Sequence, residues 1–533
     1  MEESKQVAKD TRSQSPKSAK ETRRQSYKSQ VGKLVESLRI RHGWTQSELA
    51  RRLGTSQSAV ARIENGDRNI TLDTINELGR VLHQPILTIN DSEIASLVVN
   101  GGKELKGSIS ILASKNASLG VLCASLANRG TTTIKGISRV EECHRIIEVM
   151  ESIGFEIEWK NHRKDLKLTP PREFHLEKMD IETARRTRSA LMMMSTFLHR
   201  FKSFKMPFAG GCSLGERTVE PHLQALSHFG LDVDTRCEHG FYSSTVADQE
   251  PRDQVIVLTE RGDTTTENAI IAAAQTPAKT VIKNASPNYM VQDVCFFFEK
   301  LGVKFEGIGT TTLTVYGKKK LKADIEYHPA EDPIEAMTFI AAGLVTDSSI
   351  TVKRVPIEFV EIELQLLRTM GAKFELSPEY LSNNGRSRLV DLYLRKSQLV
   401  APIDKITPMP FPGLNIDNLP FFAIIAAKAH GRTMIHDWVF ENRAIYLAEL
   451  DRVGVKVQLM DTHRVYITGP THFRPANMMT PPALRPAMVL LLAMLAADGR
   501  SILRNVYMIN RGYADIVRRL NSLGADVKKV VGI

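Results

Sequence analysis

Long apolar runs are missing from this chain. The longest stretch free of charges and strong polar groups spans residues 488–497. That is well short of the roughly 20 residues that cross a bilayer as a helix, so no membrane span and no membrane partner are expected. The N-terminus is charged from Glu2 onward and carries no apolar segment of the kind a secretory signal needs. Cysteine is scarce: Cys123, Cys143, Cys212, Cys237 and Cys295. Their number is odd, no CxxC pair occurs, and the spacing suits neither a disulfide framework nor a zinc site. A reducing compartment fits this usage, and the cytoplasm is the expected location. Acid is also short, with 60 Asp and Glu against 71 Lys and Arg, a formal charge of +11. Such an excess suggests nucleic acid, but its distribution qualifies the inference. Residues 1–29 carry net +4, residues 30–93 are neutral, and the remaining +7 lies beyond. An anionic small substrate accounts for that last part as readily as a polyanion.

The 533 residues suffice for three or four domains. Residues 1–29 are Ser, Lys, Arg, Gln and Glu with almost no large apolar side chain, which predicts a disordered basic arm. Residues 30–92 have helical periodicity. Val31, Leu34, Val35 and Leu38 mark one helix. Thr45 caps a second, with Glu48 three residues on, and Gly54 ends it. Ser56 caps a third, carrying Ala59, Val60 and Ile63. Two short helices joined by a Leu-Gly-Thr-Ser turn form a helix-turn-helix, and the run from Trp44 to Gly66 resembles the phage-repressor-like family of that motif. The resemblance implies DNA as a partner. The second helix of the motif would enter the major groove with Gln57, Ser58 and Arg62, and Gln46 would reach a phosphate or base edge. Such modules bind paired half-sites, so a homodimer is expected.

From residue 93 onward a unit repeats six times: an Ala-rich apolar helix, a strand, a second helix stopped by glycine, and an alternating strand. The glycines are Gly154, Gly230, Gly302, Gly371, Gly454 and Gly524, spaced by 76, 72, 69, 83 and 70 residues. Each is expected in the left-handed conformation that ends a helix. Ala-rich helices are read at 116–127, 269–274, 334–344, 421–429 and 486–497. With no solenoid cap visible, closure into two lobes of three units is the economical arrangement. The expected fold is therefore α/β, preceded by a small all-α domain.

Polar residues gather at the starts of the Ala-rich helices: Lys115 and Asn116, Arg188, Thr264 to Thr266, Asp332, Asp417 and Arg485. A second set follows the inner strands: His144 and Arg145, Cys212 and Arg217, Asn288, Glu358, Glu441 and Arg443, and Arg511. Helix N-termini favour anions. Arginines at such ends predict a substrate rich in phosphate and carboxylate, and the aspartates among them are candidate bases.

These segments also carry a resemblance. Leu112-Ala-Ser-Lys115-Asn116-Ala and Gly210-Gly-Cys212-Ser-Leu-Gly-Glu-Arg217 are similar to the enolpyruvyl transferases. Within that family they resemble the UDP-N-acetylglucosamine 1-carboxyvinyltransferase branch of peptidoglycan synthesis. Asp332-Pro-Ile-Glu-Ala-Met-Thr-Phe, Val439-Phe-Glu-Asn-Arg443 and Asn510-Arg-Gly-Tyr513 extend the match over about residues 95–530. The resemblance implies an inside-out α/β barrel of two lobes, one formed by 93–114 with 328–533 and the other by 115–327. It implies transfer of the enolpyruvyl group of phosphoenolpyruvate to the sugar 3-hydroxyl of UDP-N-acetylglucosamine or a related nucleotide sugar, with release of phosphate. No metal or cofactor is implied. By the same match Lys115, Arg217 and Arg511 hold phosphoenolpyruvate, assisted by Arg188 and Arg485. Asn116 and Asp417 hold the sugar, with Asp417 as base. Asp332, Val439 and Arg443 belong to the substrate site. Cys212 is the loop acid and the target of fosfomycin, and a neighbouring Arg217 would lower its pKa.

The sequence also departs from that family. Ala483 stands where an aspartate precedes the arginine at 485. Met508 and Asn510 replace a His and an Asp ahead of Arg511. Glu260 replaces a lysine, Asn288 and Met290 replace two glutamates, and the loop before Asp417 is about three residues longer. Three functions are compatible with this pattern: the transferase reaction fused to a DNA-binding domain, transfer to a different acceptor, or a transcription regulator that uses a degenerate transferase as ligand sensor. A shikimate acceptor fits less well, because the cysteine loop marks the amino-sugar branch.

Overall fold

The computed structural model describes residues 44–66, 95–208, 218–235, 240–248 and 250–531, with Gly32, Val35, Glu36, Arg39, Thr74, Glu77, Leu78 and Val81. The expected arm 1–29, the Cys212 and Arg217 loop and Cys237 lie outside the described residues. Two compact units divide between residues 91 and 92.

In the first unit the helices Gln46–Arg52 and Gln57–Glu64 form the expected pair. The Thr45 hydroxyl accepts from the Glu48 amide at 3.2 Å, and the Ser56 hydroxyl from the Ala59 amide at 3.3 Å. Each bond satisfies one of the amides a helix start leaves open. Gly54 turns the chain between them at φ +61°. Val35, Leu49, Ala50, Val60, Ile63 and Leu78 make the small core.

Among the described residues the second unit holds six sheets, four of four or five strands and two of three. All six repeat glycines have positive φ, from 80° at Gly302 to 109° at Gly154. There a helix ends and its chain turns into a strand, a conformation that costs other residues steric strain. Two apolar cores result. One joins Ala95–Ile111 residues to those from Ile334 to Val527. The other runs from Ala117 to Ala330, with Phe359 added. Three sheets surround each. The strand Ala95–Gly101 lies between Gly499–Arg504 and Val527–Val531, so both ends of this unit meet in one sheet.

The helices are inside and the sheets outside. Every residue of the Pro333–Val345 helix is buried, as are nearly all of Leu419–Lys428 and Leu484–Ala496. A helix apolar on every face can only be a core element, and the Ala-rich composition lets three such helices approach closely. The strands instead alternate buried and exposed positions, as in Thr312–Tyr316 and Arg464–Gly469. The unit containing Arg188 differs: its core element starts as a 3-10 turn, Arg188–Met193, and becomes α-helical only at Met194–Phe197.

Close packing of helix ends against strand ends generates a test. A Cβ on Gly317 would meet the carbonyl oxygens of Ala273 and Thr276 at 2.1 Å. Backbone at the end of the Asp263–Ala274 helix cannot retreat as a side-chain tip can. Gly317→Ala should therefore destabilise the second unit by about 1–3 kcal/mol, measured as a lowered urea midpoint with an unchanged m-value.

Candidate functional site

The polar helix starts lie where the sequence places them. Lys115 opens the helix Lys115–Ser125 behind a Ser114 cap, whose hydroxyl accepts from the amides of Asn116 and Ala117. Asp332 caps Pro333–Val345, accepting from the Ile334 amide at 2.8 Å and the Glu335 amide at 3.2 Å. Asp417 precedes the Leu419–Lys428 helix and Arg485 is the second residue of Leu484–Ala496. Burial raises the Asp332 carboxyl, opposed by Arg485 and the two capping amides.

Asp417 is the centre of one charge cluster. Arg485 donates to its carboxylate at 3.1 Å, and a guanidinium nitrogen of Arg443 lies 3.7 Å away. Burial alone would raise Asp417, but Arg485, Arg443 and Lys115 outweigh it and hold its pKa below the ordinary value. Arg485 is itself desolvated, yet Tyr513, Asp417 and Asp332 keep it firmly charged. The Tyr513 hydroxyl bridges Arg485 at 3.0 Å and Thr338 at 2.8 Å. The Nε of Arg485 has no partner among the described residues. Ala483 is fully buried before this helix and offers no side-chain cap, so Asp417 is the carboxylate that pairs with Arg485.

Arg443 sits beneath the cluster. Its side chain is 1% exposed, it pairs with the equally buried Asp437, and it donates to the Ile416 carbonyl at 2.6 Å. It therefore holds the 416–417 turn from below. Val439 is half-exposed, in the turn that leads from Asp437 to Arg443.

A second cluster joins the two cores. Lys115 donates to Glu142 at 2.7 Å, and Arg511 pairs with the other oxygen of the same carboxylate. Burial works against the Glu142 charge, but Lys115 and Arg511 pull its pKa down to about 2. Asn116 reaches the Tyr289 hydroxyl at 3.4 Å, and that hydroxyl also meets the Ser114 hydroxyl at 2.9 Å. Arg188 donates to the Thr218 carbonyl at 2.6 Å; residues 209–217, which precede Thr218, lie outside the described residues.

Sequence reasoning did not single out Glu142, Tyr289 or a role for Tyr513. It took His144 and Arg145 from the segment after the inner strand. Arg145 is instead buried and donates to the Arg186 carbonyl. The available signal for Glu142 was its place in the first turn of a helix, Glu141–Ser152. Asn288, one of the departures, caps its own helix and donates to Asp263 at 3.2 Å. A carboxylate at 288 would face Asp263 as a like charge. Met508 lies 4.0 Å from Arg511 by its sulfur, and Glu260 is exposed. Cys123, Cys143 and Cys295 are buried, and burial raises all three thiols, which makes them poor nucleophiles.

In the helix-turn-helix, Gln57, Ser58 and Arg62 are exposed on the second helix. Gln57 donates to Gln46 at 2.7 Å, and Gln46 donates to Glu64 at 2.8 Å. Arg39 makes a two-pronged ion pair with Glu64 at 2.7 and 3.0 Å. Both glutamines at the helix starts are thereby fixed in orientation.

Residues 99–520 match the family model of EPSP synthase (3-phosphoshikimate 1-carboxyvinyltransferase), and residues 35–87 match a helix-turn-helix model. The chain belongs to the enolpyruvyl transferase family. It is similar to the UDP-N-acetylglucosamine 1-carboxyvinyltransferase of Campylobacter hominis, 30% identical over 439 residues that cover 81% of this chain and 99% of that one. The enzyme of that name from Bradyrhizobium diazoefficiens is 29% identical, covering 81% and 97%. Among solved structures the fold is shared with the enolpyruvyl transferase NikO from Streptomyces tendae, with TM-score 0.72, 21% identity and coverage of 83% and 100%. It is shared too with EPSP synthase from Acinetobacter baumannii, with TM-score 0.63, 17% identity and coverage of 82% and 100%. The family's inside-out α/β architecture accounts for the two three-sheet cores, and a helical module precedes it. Among the described residues no helix is long and apolar enough to cross a membrane.

The Arg443–Asp437 pair separates support from substrate contact. Removing one partner strands a buried charge, which costs about 3–5 kcal/mol. Arg443→Met should lower stability by that amount, read by chemical denaturation, whereas a merely substrate-contacting arginine would leave the midpoint in place.

Proposed function

We propose that the second unit transfers the enolpyruvyl group of phosphoenolpyruvate to the 3-hydroxyl of UDP-N-acetylglucosamine, releasing phosphate, and that residues 30–92 bind DNA. The observation that carries the proposal is the gathering of Lys115, Asp332, Asp417 and Arg485 at or beside helix starts, with Arg511 at the end of the Tyr507–Asn510 helix paired to the same carboxylate as Lys115, and with buried Nε–H groups on Arg485 and Arg511 that have no partner among the described residues. Unsatisfied buried donors are costly, and an anion carrying carboxylate and phosphate would satisfy them. Lys115 and Arg511 take its charge, with Arg217 from the loop. Asp417 is ionised at neutral pH and accepts the hydrogen bond of the sugar hydroxyl. As Arg485 turns part of its charge toward the incoming anion, Asp417 becomes more basic and takes the proton while the oxygen attacks C2. Cys212 delivers a proton to C3 to give a tetrahedral adduct; the Cys212 thiolate then takes a proton back from C3 as the C2–O bond to phosphate breaks, which expels phosphate and restores the C2=C3 double bond. The reaction belongs in the cytoplasm, where both substrates and DNA occur, and a homodimer suits paired DNA half-sites.

A second reading rests on Ala483. With no carboxylate at that position, Asp417 is already neutralised by Arg485, which weakens it as a base. Such a site could bind ligand without turnover and report to the helix-turn-helix as a sensor. A different nucleotide-sugar acceptor is a third arrangement, supported by the exposed Glu260.

Phosphate release from phosphoenolpyruvate, with and without UDP-N-acetylglucosamine and fosfomycin, decides among them. Acceptor-dependent, fosfomycin-sensitive release is the expected result. Cys212→Ala should abolish both release and labelling, and Lys115→Met should lower kcat/KM by about 10²- to 10³-fold. Thermal stabilisation by the ligands without release would instead establish the sensor. For the first unit, selection from a random duplex pool should retrieve a two-fold symmetric site. Gln57→Ala should relax discrimination at one base pair of each half-site by about 1–3 kcal/mol.

A further inference from the structure

We propose that Glu142 is an internal occupant of the anion site, a carboxylate latch that the substrate anion must displace. The inference rests on the transferase reading, because it takes Lys115 and Arg511 as the cations that receive phosphoenolpyruvate.

Each oxygen of Glu142 is held by a different cation, one from Lys115 and one from Arg511. The three side chains are 15%, 12% and 10% exposed for Lys115, Glu142 and Arg511 respectively. This is the two-cation clamp that a substrate carboxylate or phosphate would itself enter. Glu142 also stands in the first turn of its helix, where negative charge is favoured. With its pKa drawn to about 2 it is ionised throughout the physiological range.

The contact is also a bridge between cores. Glu142 stands between Val140 and Cys143, which pack in the core that runs from Ala117 to Ala330, and Arg511 between Ile509 and Tyr513, which pack in the one that ends near Val527. Beside it Arg139 pairs with Asp515 at 3.1 Å, and the Arg145 guanidinium lies 5.5 Å from the Tyr507 ring centroid. The start of the Glu141–Ser152 helix is thus docked on the 507–515 segment by charge and by cation–π contact. Of these contacts, only the Glu142 bond engages a cation assigned to substrate.

The exchange is chemically balanced. A carboxylate leaves Arg511 Nε without a partner among the described residues. A phosphate has a third terminal oxygen and can satisfy it, so the substrate replaces one ion pair with a better one. Retaining both anions in the clamp would place two negative charges against two cations already shared, so Glu142 must swing out. Affinity for the substrate anion is then set partly by the cost of opening the latch.

The test is calorimetric titration of the full-length protein with inorganic phosphate at low ionic strength. Glu142→Gln keeps the shape and removes the competing charge. It should bind phosphate about tenfold more tightly than the wild type, and the gain should vanish in the Glu142→Gln, Arg511→Gln double variant. The increase in Tm caused by phosphate should likewise be larger in Glu142→Gln, a readout that survives if the variant is less stable. Equal or weaker phosphate binding by Glu142→Gln would overturn the latch and leave Glu142 as a positioning residue for Lys115. So would a gain that persists in the double variant. The transferase reading stands or falls separately, on phosphate release with UDP-N-acetylglucosamine.

Discussion

Helices that are apolar on every face dominate the second unit. Such a helix has no solvent side, so it must be enclosed by others of its kind and by the inner faces of sheets. That one requirement turns the usual layering inside out. It also removes every place along the helix body where a charge could sit without cost. Polar side chains are left at the helix starts, where unpaired amides and the macrodipole favour carboxylates as caps and anions as ligands. Asp332 capping one helix, Ser114 capping another and Arg485 just inside a third are consequences of the same packing. A carboxyl within a helix body bears the cost of enclosure: burial raises the pKa of Glu267, in the middle of the Asp263–Ala274 helix, well above the ordinary value.

The charges gathered there are arranged to neutralise one another. Asp417 is set between Arg485 and Arg443, and Glu142 between Lys115 and Arg511. Desolvated cations held without counter-charge would be expensive, and the protein meets this cost with its own carboxylates. On the proposed reading, an anionic substrate binds by exchanging places with one of these carboxylates. The same logic gives meaning to Ala483. Ala483 supplies no carboxylate at the start of its helix, so the work of balancing Arg485 falls on Asp417. Support from below, by the enclosed Arg443–Asp437 pair, keeps that carboxylate in place.

Much of this architecture was legible in the sequence. The six glycines, the Ala-rich helices between them and the strands that follow recur with nearly constant spacing. A glycine that ends a helix leaves a mark independent of tertiary context, and all six have positive φ in the structure. The two-helix motif near the N-terminus was equally readable, because Thr45 and Ser56 act on amides only a few residues away. The Arg188 unit was less so. Its run of methionines has helical composition, yet its first turn is 3-10, a local tightening that composition does not encode. Arg443 is the converse case: its motif pointed to the site, but only the structure puts its guanidinium on Asp437 and the Ile416 carbonyl.

By itself the sequence determined the repeat, the helix starts and the identity of the cations at those starts, because caps, glycine stops and apolar periodicity are interactions between near neighbours in the chain. Tertiary structure alone decided which charge meets which. Glu142 and Arg511 are 369 residues apart, and Asp417 and Arg485 are 68 apart. The first pairing depends on how the two cores meet and the second on how two helix starts pack within one core, and no local pattern carries that information.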